Sequence, residues 1–243
     1  MTQVNKEPQP PKRAMVIAAH PDDIEFVVAG TAAKWVQAGT QVRYVLVTSG
    51  DAGTQELDIT REELARIREA EQRAAAGVVG VDDVVFLGFP DGEVEPSVAV
   101  RRDLVRVIRR FRPDSVICYD PTRFLIGDRY INHPDHRAAA QAALDAIAPT
   151  AAMPLAFVEL REQGLEPHRV KEVFVASTVE ANTWIDITDT IDKKIEALRQ
   201  HASQFPDGWD PEELLRGWAS ETGEKVGVPY AEAYRRIVLV RED

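Results

Sequence analysis

The feature that most constrains this chain is a repeated switch between short apolar, β-branched runs and longer stretches with helical spacing. "AMVIAA" at 14–19, "QVRYVLVTS" at 41–49, "VVFLG" at 84–88, "DSVICY" at 114–119 and "EVFVAS" at 172–177 read as strands. Between them lie predicted helices at 24–39, closed by Gly39, at 60–79, opened by a Thr60/Glu63 capping box, at 97–111, and after His133. A further strand is expected at 183–187 and a helix from 188 or 189 to about 203, after which the pattern fades. Strands covered on both faces and separated by helices imply an α/β, Rossmann-like, mostly parallel sheet with helices on both faces. Such sheets bind ligands beyond the carboxyl ends of their strands. The segments to inspect are therefore the loops that begin at residues 20, 50, 89 and 120.

Length and charge narrow the partners. The 243 residues suit one α/β core, expected to occupy 14–243, behind a polar, proline-rich tail at 1–13 expected to be disordered. A net charge of -11 repels phosphate backbones and anionic lipid headgroups, so the expected partner is a small molecule, with no nucleic acid and no membrane. A homo-oligomer is compatible with the composition. The single cysteine, Cys118, excludes an intramolecular disulfide and reads as core packing. With neither a signal-like apolar stretch nor a run approaching the ~20 apolar residues of a membrane span, a cytoplasmic location is expected. The first turn lacks a glycine-rich dinucleotide fingerprint, which disfavours NAD binding.

Three of the five histidines fall in two motifs, "AAHPDD" directly after the first strand and "NHPDH" at the end of the loop 120–136 that follows the fourth. Imidazole nitrogen and carboxylate oxygen suit zinc, and a catalytic zinc keeps three protein ligands with a fourth position open. His20, Asp23 and His136 are the expected metal ligands. Asp22 is then placed to act as general base, and His133 to stabilise an oxyanion and donate a proton to a leaving amine. The competing reading is that Asp22 and Asp23 merely cap a helix, a favourable but small dipole effect; Asp135 is assigned that role alone. Two histidines and a carboxylate also suit Fe(II), so an oxygenase is a second class and a metal-free binding module a third. An oxygenase would leave Asp22 without a chemical task.

These motifs resemble the LmbE-like or PIG-L family of zinc-dependent N-deacetylases. The resemblance extends to "RIREAEQRAAAGVVGV" at 66–81, "LGFPDGE", "FRPDSVICYDP" and "IDKKIEALRQHASQ" at 191–204. It implies a Rossmann-like fold, a Zn²⁺ or Fe²⁺ cofactor, and an N-acetylglucosamine-type conjugate as substrate, with acetate and a free amine as products; a larger acyl group is the alternative. It also implies His20, Asp23 and His136 as ligands, Asp22 as base, His133 as oxyanion partner and Arg68 as a substrate-binding arginine. Asp91 is matched to a residue that orients His133 and is grouped with Arg68 on the substrate side. Without the resemblance, Arg68 would read as a surface ion pair with Glu71. Ala29 departs from the family's Gly-Gly-Thr. Arg123, Arg129, Tyr130 and Asn132 lie where family-specific contacts are expected, and His201 is expected to support the site from behind.

Overall fold

The computed structural model describes residues 7–128, 130–205 and 208–240. The first half runs β1 (Arg13–Ala18), α1 (Asp23–Val27), α2 (Ala29–Gln37), β2 (Gln41–Thr48), α3 (Arg61–Val79), β3 (Asp83–Phe89), α4 (Val98–Phe111) and β4 (Ser115–Tyr119). Then follow a hairpin of β5 (Leu125–Ile126) and β6 (Tyr130–Ile131), α5 (Pro134–Ile147), α6 (Val158–Glu162), β7 (Glu172–Ala176), β8 (Thr183–Asp186), α7 (Ile191–Arg199), α8 (Glu212–Glu224) and β9 (Ala231–Val238). Seven strands form one sheet in the order β3-β2-β1-β4-β7-β9-β8. The first five in that order are parallel, whereas β9 runs antiparallel to both β7 and β8.

The apolar runs are continuous because both faces of the sheet are buried. Along β1, Ala14, Val16 and Ala18 pack against α2, α3 and α7, while Met15 and Ile17 pack against α4 and α5 on the other side. Helix α5 lies close to the sheet because its buried face is almost all alanine, from Ala138 to Ala146. The basic face of α4 is less simple than its pattern suggests. Arg109 is buried and donates to the carbonyls of Ala151, Met153 and Ala156, tying down the segment after α5 rather than facing solvent.

Two expectations are corrected here. The tail is not free along its described part: Glu7 pairs with Lys34, Pro8 is buried, the Pro11 carbonyl accepts from Thr40, and β1 already begins at Arg13. Residues 1–6 lie outside the described residues. The single helix expected at 24–39 is two, broken at Val28, whose φ of -131° leaves the helical region. The break is stabilised from far along the chain. Glu232 of β9 accepts the N–H groups of Gly30 and Thr31, which the α2 N-terminus would otherwise leave unsatisfied, and it is itself paired with Lys194 of α7.

That buried carboxylate ties α2, α7 and β9 together. Replacing Glu232 with Ala strands the Lys194 ammonium, which is only 4 % exposed, and should cost about 3–5 kcal/mol in urea denaturation. A loss below about 1 kcal/mol would show that the pair is not what holds the break in place.

Candidate active site

Strand order reverses at β1, whose neighbours are β2 on one side and β4 on the other. The crevice beyond the carboxyl ends of β1 and β4 is the topological switch point, where an open α/β sheet places its ligands. The two histidine motifs are brought together there from positions more than 110 residues apart. His20, Asp22 and Asp23 follow β1, and His133 and His136 open α5 after β4.

The turn after β1 is shaped by its carboxylates, though not as caps. Asp23 folds back so that its Oδ2 accepts the backbone N–H groups of Ala19 and His20, at 3.1 and 2.8 Å. Its Oδ1 lies 2.9 Å from His136 Nε2, and its Oδ2 3.6 Å from His20 Nδ1. Asp22 occupies the position before α1 in a left-handed conformation, φ 83°, and its side chain caps nothing. Instead Oδ2 accepts from Arg68 Nη2 at 3.1 Å, while the Asp22 N–H donates to Gln72 at 3.1 Å. The capping reading therefore fails for both aspartates.

Hydrogen bonding fixes the ring tautomers. His20 Nε2 sits 3.0 Å from Asp91 Oδ1 and 3.2 Å from Asp135 Oδ2, and between two carboxylates that nitrogen must carry the proton. In the neutral ring Nδ1 is then bare, facing Asp23. Asn132 donates its amide to the Arg123 carbonyl at 2.7 Å, which turns its Oδ1 toward His136 Nδ1 at 2.9 Å. That oxygen can only accept, so His136 carries its proton on Nδ1 and presents a bare Nε2, also to Asp23. With both rings neutral, two lone pairs face the two oxygens of the Asp23 carboxylate, a donor set that suits a cation, and among the described residues the groups whose ligand atoms lie within 4.8 Å of one another are His20 with His133 and His136, and His20 with Asp91 and Asp135. Histidine ligands oriented by carboxylate and amide partners behind them are the usual support of a metal centre. His133 is different: its Nδ1 accepts the Asp135 N–H at 3.2 Å, so the neutral ring keeps its proton on Nε2 and is a donor rather than a ligand. The nitrogens of His20, His133 and His136 nonetheless lie within 4.8 Å of one another.

Electrostatics follow from this packing. Burial disfavours charge on His20, but the hydrogen bonds to Asp135, Asp23 and Asp91 outweigh it and raise its pKa to about 12. Burial and then the Asp23 carboxylate push Asp22 up to about 7, with Arg68 pulling the other way. Burial, and then positive charge on His20, lowers the pKa of His133.

Glu71 accepts from Ser203, whereas Arg68 is buried at 3 % exposure and pairs with Asp22. Its guanidinium donates to the Gly50 and Pro21 carbonyls at 2.8 and 2.9 Å as well as to Asp22. Glycines make its slot: a Cβ at Gly53 would come within 2.5 Å of Nη1, and one at Gly50 within 2.3 Å. Asp91 is corrected. It meets His20, not His133, because the loop after β3 lies alongside β1's end, and the Ala52 N–H fixes its other oxygen at 3.1 Å. Asp135 is also more than a first-turn carboxylate: fully buried, it accepts from Gly92 and Val94 and shares His20 with Asp91.

Sequence reasoning missed Asp135, Gln72 and Glu25, and left Asn132 without a role. Gln72 bridges Asp22 to Glu25, and Glu25 in turn lies 3.3 Å from His201, both of them wholly buried. Their signal is weak, polar residues on the apolar faces of helices. Tyr130 and Ile126 of the hairpin line the cavity mouth, Arg123 donates to the Ser177 carbonyl, and Arg129 lies outside the described residues. The cavity above the cluster measures about 810 Å³ and is walled by Phe26, Tyr119, Tyr130 and Trp218, within the range of small-molecule sites.

Known proteins are similar to this chain in sequence and fold. The diacetylchitobiose deacetylase of Thermococcus kodakarensis is 35% identical over 228 residues, covering 92% of this chain and 82% of that protein. A probable N-acetyl-alpha-D-glucosaminyl L-malate deacetylase of Bacillus anthracis is 30% identical over 205 residues, covering 80% and 82%. The structure of N,N'-diacetylchitobiose deacetylase from Pyrococcus horikoshii, complexed with its inhibitor MPG, superposes with a TM-score of 0.86 at 34% identity, covering 94% of this chain and 84% of that one. Residues 15–147, which hold β1 to α5 and every member of the cluster, match the family described as GlcNAc-PI de-N-acetylase. The chain therefore belongs to the PIG-L family.

Proposed function

We propose that this protein is a metal-dependent hydrolase that removes the N-acetyl group from an N-acetylglucosamine-type sugar conjugate, giving acetate and a free amine. The observation that carries the reading is that His20 Nδ1 and His136 Nε2 both face the Asp23 carboxylate, beside a second carboxylate, Asp22, held by Arg68. The relatives named for deacetylation of N-acetylated sugars support the substrate class. Likewise, the acidic surface and the lack, among the described residues, of a helix able to cross a membrane suit a small-molecule partner.

His20, Asp23 and His136 would hold the metal, with zinc the best match to two nitrogens and one oxygen and Fe²⁺ the alternative. When bound it supplies Lewis acidity and a more acidic water. Everything else is done by the chain. Asp91 and Asp135 hold the proton on His20 Nε2 and so keep Nδ1 available. Asn132 does the same for His136. Asp22, held by Arg68 and by Gln72 behind it, takes the proton of the attacking water. His133 donates its Nε2–H to the carbonyl oxygen as negative charge develops there. As the C–N bond breaks, Asp22 gives the proton it took from the water to the departing nitrogen, so acetate and a free amine leave and the Asp22 carboxylate is restored.

Replacing Asp22 with Asn should lower kcat for acetate release from N-acetylated glucosamines by ~10²–10⁴-fold with the metal still bound; near-normal turnover would remove Asp22 from the role of base. Gly53→Ala tests the Arg68 slot without touching a reacting group. The added methyl displaces the guanidinium and should reduce turnover by up to ~10²-fold with an unchanged circular-dichroism spectrum, whereas full activity would show that the position of Arg68 is immaterial. Failure of the wild-type, metal-loaded protein to release acetate from any N-acetylated sugar would overturn the reading itself.

A further inference from the structure

Helix α3 grips the peptide unit that precedes the Asp22 side chain from both sides. Arg68 Nη2 donates to its carbonyl, that of Pro21, at 2.9 Å, and Gln72 Oε1 accepts its N–H, that of Asp22, at 3.1 Å. In a trans peptide these two groups point in opposite directions, and residues 68 and 72, four apart, share one face of the helix. The grip has a purpose. Asp22 holds φ 83° although it is not glycine, a conformation that persists only where the surroundings over-determine it. A turn of that peptide would swing the carboxylate away from the direction in which Arg68 now holds it.

Gln72 is itself oriented from behind. Its Nε2 donates to Glu25 Oε1 at 3.0 Å, and because an ionised carboxylate only accepts, the amide must present its oxygen to Asp22. The other Glu25 oxygen lies 3.3 Å from His201 Nε2, and neither of those atoms has another polar partner among the described residues. Gln72, Glu25 and His201 are each wholly buried, and none of them lines the catalytic cavity, so they do not touch a substrate. Burying a carboxylate and an imidazole carries a desolvation cost that apolar side chains of similar volume would avoid. Packing alone does not account for them. They come from α1, α3 and the turn after α7, and their contacts lead to one place, the backbone of Asp22.

Building on the deacetylase reading, we infer that His201, Glu25 and Gln72 are positioning residues for the reaction: they fix the backbone of Asp22, and through it the direction of the carboxylate that takes the proton from water. Substrate affinity does not depend on them, whereas the rate of the chemical step does.

The test is a double-mutant cycle on the metal-loaded protein, with acetate release from N,N'-diacetylchitobiose as the assay. Gln72→Glu sets two carboxylates against each other and should lower kcat about tenfold or more, with KM within about twofold and the metal retained. Glu25→Gln alone should cost less than about threefold, since a carboxamide oxygen still accepts from Gln72. The two changes together exchange donor and acceptor and keep an oxygen on the Asp22 N–H, so kcat should return to within about fivefold of wild type. Effects that merely multiply, or a wild-type kcat in Gln72→Glu, overturn the inference. Should Gln72→Glu not fold, His201→Phe and His201→Gln decide it: a kcat about fivefold lower in the first, with near-normal turnover in the second, which keeps a donor for Glu25, supports the inference, and equal kcat values overturn it. Hydrogen exchange at the Asp22 N–H, followed by NMR, needs no turnover. It should be about tenfold faster in Gln72→Glu or His201→Phe than in wild type, and equal rates overturn the inference. If the wild type releases no acetate from any N-acetylated sugar, the deacetylase reading fails, while the exchange rates still decide whether these three residues hold the Asp22 backbone.

Discussion

The site depends on how one imidazole is held. His20 Nε2 lies between the Asp91 and Asp135 carboxylates, and this arrangement leaves Nδ1 without a proton in the neutral ring, turned toward Asp23. Those two carboxylates are set in turn by backbone groups: Ala52 on Asp91, Gly92 and Val94 on Asp135. Three strand ends and a helix start are thereby referred to a single ring, because residues 20, 52 and 91 come from the loops after β1, β2 and β3 and residue 135 from the first turn of α5. Loss of either carboxylate would free the ring to turn or change tautomer, and the point where His20, Asp23 and His136 meet would no longer be fixed.

The fold makes that convergence inexpensive. A parallel sheet with both faces covered puts every loop of interest at one edge, and the reversal of strand order at β1 opens a crevice between the loops after β1 and β4. The helices on either side are held by buried polar contacts as well as by apolar packing. Arg109 anchors the chain after α5 through three carbonyls, and the Lys194–Glu232 pair joins α2, α7 and β9.

Much of this was legible before any coordinates. Strands covered on both faces leave unbroken apolar runs, and β1 to β4 and β7 appear within a residue or two of where those runs fall. The HPDD and HPDH motifs marked the cluster because three of five histidines in two short loops is an uneven distribution with a chemical cause. What stayed hidden depended on neighbours distant in sequence. The helix break at Val28 rests on Glu232, some 200 residues away, and no local signal announces it. Strand β9 carries Arg235 and Arg236 in its middle, paired with Glu180 and Glu172, which disguises an interior strand as a polar segment. Asp135 read as a helix-start carboxylate because its partners, Gly92, Val94 and His20, lie on other loops. Asp91 was assigned to the wrong histidine for the same reason: proximity of loops is a property of the sheet, not of spacing along the chain.

Hydrolysis by this site requires a cation held by His20, Asp23 and His136. Elemental analysis by mass spectrometry, on protein purified without chelators, tests it most directly with wild type beside His136→Ala. About one zinc or iron per chain in the wild type, with most of it lost in the variant, is the predicted result. A wild-type protein that holds no metal and takes up none from added zinc or Fe(II) would contradict the three-ligand site and the hydrolytic mechanism built on it.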